Sequence, residues 1–138
     1  MKLTAIVLIF FFAFTSCSEQ EYEQHIYAVS ISNEPNKLQE YLAYHASVWP
    51  EVEAGFKLAG YKEIKMFRFE QFIVMQIKVP AGANLSEMSK KAADSHPRCA
   101  EWNQLMDTYQ IGLPGTSSGQ KWVELKEFYS FKSFYNGS

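Results

Sequence analysis

Tyr41 and His45 stand four residues apart in the stretch Tyr41-Leu42-Ala43-Tyr44-His45-Ala46-Ser47-Val48-Trp49-Pro50-Glu51. On a helix that spacing stacks the two side chains one turn apart on one side, so their polar tips reach the same point. Histidine titrates near neutral pH and serves as proton donor or acceptor, and an adjacent phenol can orient a ligand or relay a proton. Leu38, Tyr41, Leu42, His45, Val48, Trp49 and Val52 recur at steps of three and four, a stripe that should face a core. Tyr44 falls outside it. Pro50 then removes a backbone donor and pushes Trp49 away from helical geometry. The interruption predicts a kink, with Trp49 at the edge of a pocket beside Tyr41 and His45. The residues alone leave His45 two readings, a proton-transfer group and a hydrogen-bonded core histidine.

A second candidate pair is Trp102-Asn103, at the side of a stripe of Cys99, Trp102, Met106 and Tyr109. A flat indole beside an amide suits a sugar ring, whose C–H faces stack and whose hydroxyls need donors and acceptors. Core packing accounts for Trp102 equally well. Cys99 reads as a small buried hydrophobe rather than a nucleophile. Other chemistries lack their patterns. His25, His45 and His96 have no metal-ligand spacing, and no Gly-rich phosphate loop or GxSxG elbow occurs.

The elements that must carry these residues follow from periodicity. His25 to Ser32 alternates as a strand, and Asn33 to Asn36 is a turn that opens a helix over Lys37 to Ala59, ended by Gly60. Tyr61 to Phe69 and Phe72 to Val79 are strands joined through Glu70-Gln71, a hairpin. Leu85 to Ala93 and Pro97 to Tyr109 are helical, with Pro97 at a first helical position. Gly112 to Gly119 is loop, and Trp122 to Phe131 is a last strand. The order β-α-β-β-α-β predicts an α+β, ferredoxin-like fold, an antiparallel sheet with helices on one face. Ile73, Met75, Ile77 and Val79 line one side of their strand. Phe72 and Val74 join Phe67 and Phe69 on the other, so the second sheet face is also apolar. That surface predicts a homodimer of α/β-barrel type, packed sheet to sheet.

The 138 residues are 47% apolar and 20% charged with net charge −2, enough for one folded domain and without the basic run a nucleic-acid partner requires. Residues 1–16 are a different object: Met1-Lys2, an apolar run from Leu3 to Phe14, then Thr15-Ser16-Cys17. The run is short for a membrane span and has the length of a signal-peptide core. With Cys17 after two small residues it resembles a bacterial lipobox, although Phe14 stands where leucine is usual. The resemblance implies lipidation at Cys17 and an exported protein, periplasmic or anchored at the outer membrane through that lipid alone. Residues 17–24 then read as a tether, 25–131 as the domain and 132–138 as a tail.

Glu40-Tyr41-x-x-x-His45-x-x-Val48-Trp49-Pro50-Glu51-Val52 resembles the signature of the L-rhamnose mutarotase family. Gly60, Cys99-x-x-Trp102-x-x-x-Met106 and Glu127-Phe128-Tyr129 extend the likeness to about residues 25–131. The resemblance implies a dimer that interconverts the α and β anomers of a 6-deoxyhexose, a monosaccharide such as L-rhamnose or L-fucose, without metal or cofactor. It implies His45 as the catalytic residue and Tyr41 and Trp102 on the sugar; Trp49, expected at the pocket edge, is a further candidate sugar contact. Two family positions differ: Asn103 replaces a second tryptophan, and Ile64 stands where a tyrosine is usual. Both should touch the sugar, so they bear on which sugar is taken. His96-Pro97, Trp102, Leu105-Met106 and Gln110-x-x-Leu113-Pro114 are similar to relatives labelled L-fucose mutarotases. The expected chemistry gives the ring oxygen a proton from His45 while a base takes the anomeric proton. Glu40 and Glu51 read as surface carboxylates. An exported sugar-binding protein without turnover is the runner-up, and an oxygenase-like relative acting on an aromatic substrate is a third reading.

Overall fold

The first strand, β1 (Tyr22–Ile31), sits inside the sheet and pairs on both of its sides. The computed structural model describes residues 21–131. The expected signal segment, Cys17 and the tail from 132 lie outside the described residues. Tyr22 to Gln24, read as tether, are the first residues of β1 and pair with Pro80 to Lys78. They pair because β3 is long enough to give them partners.

Chain order continues with α1 (Lys37–Ala46), α2 (Pro50–Ala59), β2 (Glu63–Phe69), β3 (Phe72–Pro80), α3 (Leu85–Asp94), α4 (Pro97–Asp107), β4 (Gln110–Ile111) and β5 (Val123–Leu125). The sheet runs β2-β3-β1-β4, with β5 also on β1, and every pairing is antiparallel. This is the ferredoxin-like arrangement. Its last strand is split: β4 covers Ser30–Ile31 and β5 covers Ile26 to Ala28 along the same edge of β1.

Three sequence expectations need correction. The kinked helix over 37–59 is two helices, because Trp49 adopts an extended backbone as N-cap and Pro50 starts α2 afresh. The stripe of α1 is narrower than its spacing suggests: Leu42 is 37% exposed, whereas Tyr44 is half-buried and packs edge-on against Trp102. Leu42 stands about 100° round the helix from the buried Tyr41, at the margin of the face that α1 buries. The last strand is three residues rather than ten: only Val123 to Leu125 pair with β1, against Ala28 to Ile26, although β1 itself runs back to Tyr22.

Packing follows the alternation of the strands. Val29, Ile31 and Ile73 meet Tyr41, Val52, Cys99, Trp102 and Met106 from the helices, and Ile77 and Val79 meet Ala59, Met88 and Ala92. Burying these side chains supplies the driving force, at about 25 cal/mol per Å² of apolar surface. Gly60 ends α2 at φ 101°, a left-handed position that favours glycine. Asn84 caps α3 by accepting from the backbone N–H of Ser86 and Glu87, and His96 Nδ1 caps α4 by accepting from that of Arg98.

Candidate active site

Helices on one face of a twisted sheet leave a cavity of about 790 Å³ between the two layers. Tyr41 and His45 of α1, Trp102 and Asn103 of α4, and Ile64 of β2 all line it. The elements bring five of the six expected sugar-site residues together. The sixth, Trp49, is absent from the wall. It stands behind Trp102, 5.3 Å between ring centroids, with the Arg98 guanidinium 3.8 Å over its own ring. Its role is to back Trp102, because the extended backbone before Pro50 turns it toward α4.

His45 is fixed by its own helix. Nδ1 lies 2.8 Å from the backbone carbonyl oxygen of Tyr41, one turn back. A carbonyl only accepts, so Nδ1 carries the proton and the neutral ring keeps its lone pair on Nε2. Burial pushes the histidine pKa below its ordinary value, and the bond to the Tyr41 carbonyl opposes that shift more weakly. The ring is held between aromatics: Tyr41 at 4.2 Å, tilted, and Trp102 at 5.4 Å, edge-on.

Tyr41 is 1% exposed. Burial pushes its phenol up to about 12, with a smaller opposing effect from a hydrogen bond to the Gln110 side chain. Trp122 Nε1–H donates to Gln110 Oε1 at 3.2 Å. With its carbonyl so occupied, Gln110 has its amide N–H left to donate to the Tyr41 oxygen. Tyr41 therefore presents a neutral hydroxyl whose orientation β4 and the segment entering β5 control.

Sequence reasoning missed part of this wall. Tyr27, Glu53, Tyr61, Gln110 and Trp122 line the cavity. A signal for Tyr27 existed, because it alternates in phase with Val29 and Ile31. Glu53 is one helical step from Phe56, which also lines the cavity. Nothing local marked Trp122, whose place depends on the return of β5 to β1. Glu40 and Glu51 are elsewhere: Glu40 hydrogen-bonds the Tyr109 hydroxyl, and Glu51 lies 4.0 Å from Arg98. The far wall is apolar, formed by Ile64, Met66, Met75, Ile77 and Leu85. A second space, between α2, α3 and α4, is about 50 Å³ and too small for a sugar. Among the described residues no three His, Cys, Asp or Glu side chains gather to hold a metal ion.

A sequence model of L-rhamnose mutarotase matches residues 26–131. The chain belongs to the L-rhamnose mutarotase family. It is similar to an L-fucose mutarotase of Xanthomonas campestris pv. campestris, 32% identical over 107 residues that cover 75% of this chain and 84% of that protein. It is also similar to a UPF0734 protein of Dictyostelium discoideum, 26% identical over 122 residues, covering 86% and 95%. The fold matches the crystal structure of an L-rhamnose mutarotase from Formosa agariphila with a TM-score of 0.54 at 19% identity, over 80% of this chain and 99% of that one.

Proposed function

We propose that this protein interconverts the α and β anomers of a 6-deoxyhexose such as L-rhamnose or L-fucose. One observation carries the reading: an imidazole, pinned through Nδ1, lies in a sugar-sized cavity between aromatic rings. Nε2 takes the proton of the anomeric hydroxyl as the C1–O5 bond breaks and C1 becomes an aldehyde. The imidazolium then returns that proton to the ring oxygen. Both oxygens sit on C1, so one imidazole edge serves both, and the base left open by the sequence is His45 itself. Rotation about C1–C2 and reclosure give the other anomer. Acid–base help of this kind contributes about 10²–10⁴-fold. Tyr41 donates to a sugar oxygen, and Trp102 stacks on the ring.

Exchange NMR of the anomeric protons tests this, with the mature protein and a panel of deoxyhexoses. His45→Asn should remove enhanced exchange and leave the fold; retained full activity in that variant would sink the assignment. Ile64 and Asn103 favour the second reading, a sugar-binding protein without turnover, since both leave the wall changed where sugar should touch. It predicts saturable binding with no enhanced exchange.

The proposal extends to assembly and location. Phe67, Phe69, Phe72, Ile26, Ile111 and Leu125 are exposed, and their register places them together on the sheet face away from the helices. Such a patch supports a sheet-to-sheet dimer. The apolar run before Cys17 supports export with a lipid on that residue. Mass spectrometry of membrane-fraction protein should find a diacylglyceryl group there, and Cys17→Ala should release the chain from the membrane.

A further inference from the structure

Glu53 is the one carboxylate on the cavity wall among the described residues, and no Lys or Arg lines the cavity with it. It makes no ion pair and no side-chain hydrogen bond there, although other surface carboxylates, Glu51 and Glu101 among them, pair with Arg98. Its position on the wall is set by α2. Pro50 starts the helix, and Val52 is buried, so Glu53 and Phe56 fall along the side that borders the cavity. Tyr61, Ser86, Ser89 and Asn103 line the same cavity and add polar groups to it, whereas β2 and β3 contribute apolar side chains.

A count of acceptors shows what such a group is for. Each ring hydroxyl of a sugar carries a proton that needs an acceptor. The Gln110 carbonyl already accepts from Trp122, the lone pair of His45 Nε2 is reserved for the anomeric proton, and the Asn103 amide adds one neutral carbonyl acceptor. Hydroxyls of Tyr and Ser accept weakly beside an ionised carboxylate, whose two oxygens accept charge-assisted bonds from two adjacent hydroxyls at once. We infer that Glu53 is a specificity-determining residue that accepts hydrogen bonds from an adjacent pair of ring hydroxyls, away from the anomeric carbon. The inference rests on the sugar-site reading above but not on turnover.

Titration of the full-length protein and Glu53→Gln with L-rhamnose, L-fucose and their monodeoxy derivatives tests it, with binding read by NMR and anomer exchange read alongside. Glu53→Gln should weaken binding of the parent sugar about 10- to 100-fold, the range for a hydrogen bond to a charged group. Derivatives that lack either hydroxyl of one adjacent pair should lose far less on the same substitution, and Glu53→Asp should bind between the two. Parent-sugar binding unchanged in Glu53→Gln overturns the inference, as does an equal loss for every derivative. Tighter binding of an amino-deoxy sugar, lost in Glu53→Gln, overturns it in favour of an ammonium ligand. Binding without exchange removes the mutarotase reading and leaves this inference standing. No binding of any sugar removes both.

Discussion

In the proposed mechanism His45 sets how activity depends on pH, because the proton it would accept must find a vacant Nε2. Its pKa is lowered by burial, so the neutral ring predominates at and above the ordinary histidine value of 6.5. The expected profile of kcat/KM is flat through neutrality and falls on acidification, with its midpoint below 6.5; a midpoint above it would contradict the buried neutral form. The same shift has a stability consequence. The unfolded chain binds this proton at higher pH than the folded one, so acid between the two values favours unfolding. His45→Asn should therefore melt with less pH dependence in mildly acidic buffer. Ile64 makes a separate prediction. Ile64→Tyr narrows the apolar wall and restores a hydroxyl, so the ratio of kcat/KM for L-rhamnose to that for L-fucose should rise. The Tyr41–His45 pair was legible because two residues four apart on a helix meet whatever surrounds them. Trp49 was misplaced because its direction depends on a backbone break and a cation on another helix.

Helices and strands are held by contacts that can be tested singly. Gly55 lies where α2 meets α3: an added Cβ would stand 2.6 Å from Ser95 Oγ and 3.0 Å from the Ala92 carbonyl oxygen. Gly55→Ala gains helix propensity of about 1 kcal/mol, yet the backbone carbonyl cannot retreat as a side chain can. The clash should win, with net destabilisation of about 1–3 kcal/mol, measurable by urea unfolding. The short strand β5 is tied to β1 by His25, whose Nδ1 lies 2.8 Å from Glu124 and whose Nε2 lies 3.1 Å from Glu23. Hydrogen bonds to Glu124 first, then to Glu23, raise the histidine pKa. Its folded value exceeds the unfolded one, so this tie is complete below 6.5 and is lost as pH rises through the raised value. Amide exchange at Val123 to Leu125 should quicken over that rise, beyond the chemical effect of hydroxide, and His25→Asn should abolish the change.

The assembled molecule has one sheet face covered and one bare. Phe69 is 75% exposed, and beyond β5 Phe128 is 100% exposed in a segment without a strand partner among the described residues. Charge on the bare face should cost the proposed dimer and spare the monomer fold. Phe69→Asp is expected to sediment at half the mass of the parent protein, with unchanged far-UV circular dichroism. A parent protein that is monomeric at all concentrations would refute the sheet-to-sheet assembly.

Period-2 and period-3.6 patterns were enough to order β-α-β-β-α-β and to choose the inner faces of β1, β3 and α4, because each pattern reports which side of a single element avoids water. They also carried Tyr41 and His45 to one side of α1 and Trp102 onto the stripe of α4, with Asn103 beside it. What required the tertiary structure was everything set by two elements at once. The return of β5 to β1 put Trp122 onto Gln110 and so onto Tyr41. The restart of α2 at Pro50 drew Trp49 behind Trp102 and left Glu53 on the cavity wall. The pKa of His45 fell because other elements buried it. Local spacing fixes which side chains share a face; desolvation and cross-element hydrogen bonds arise only when the faces meet.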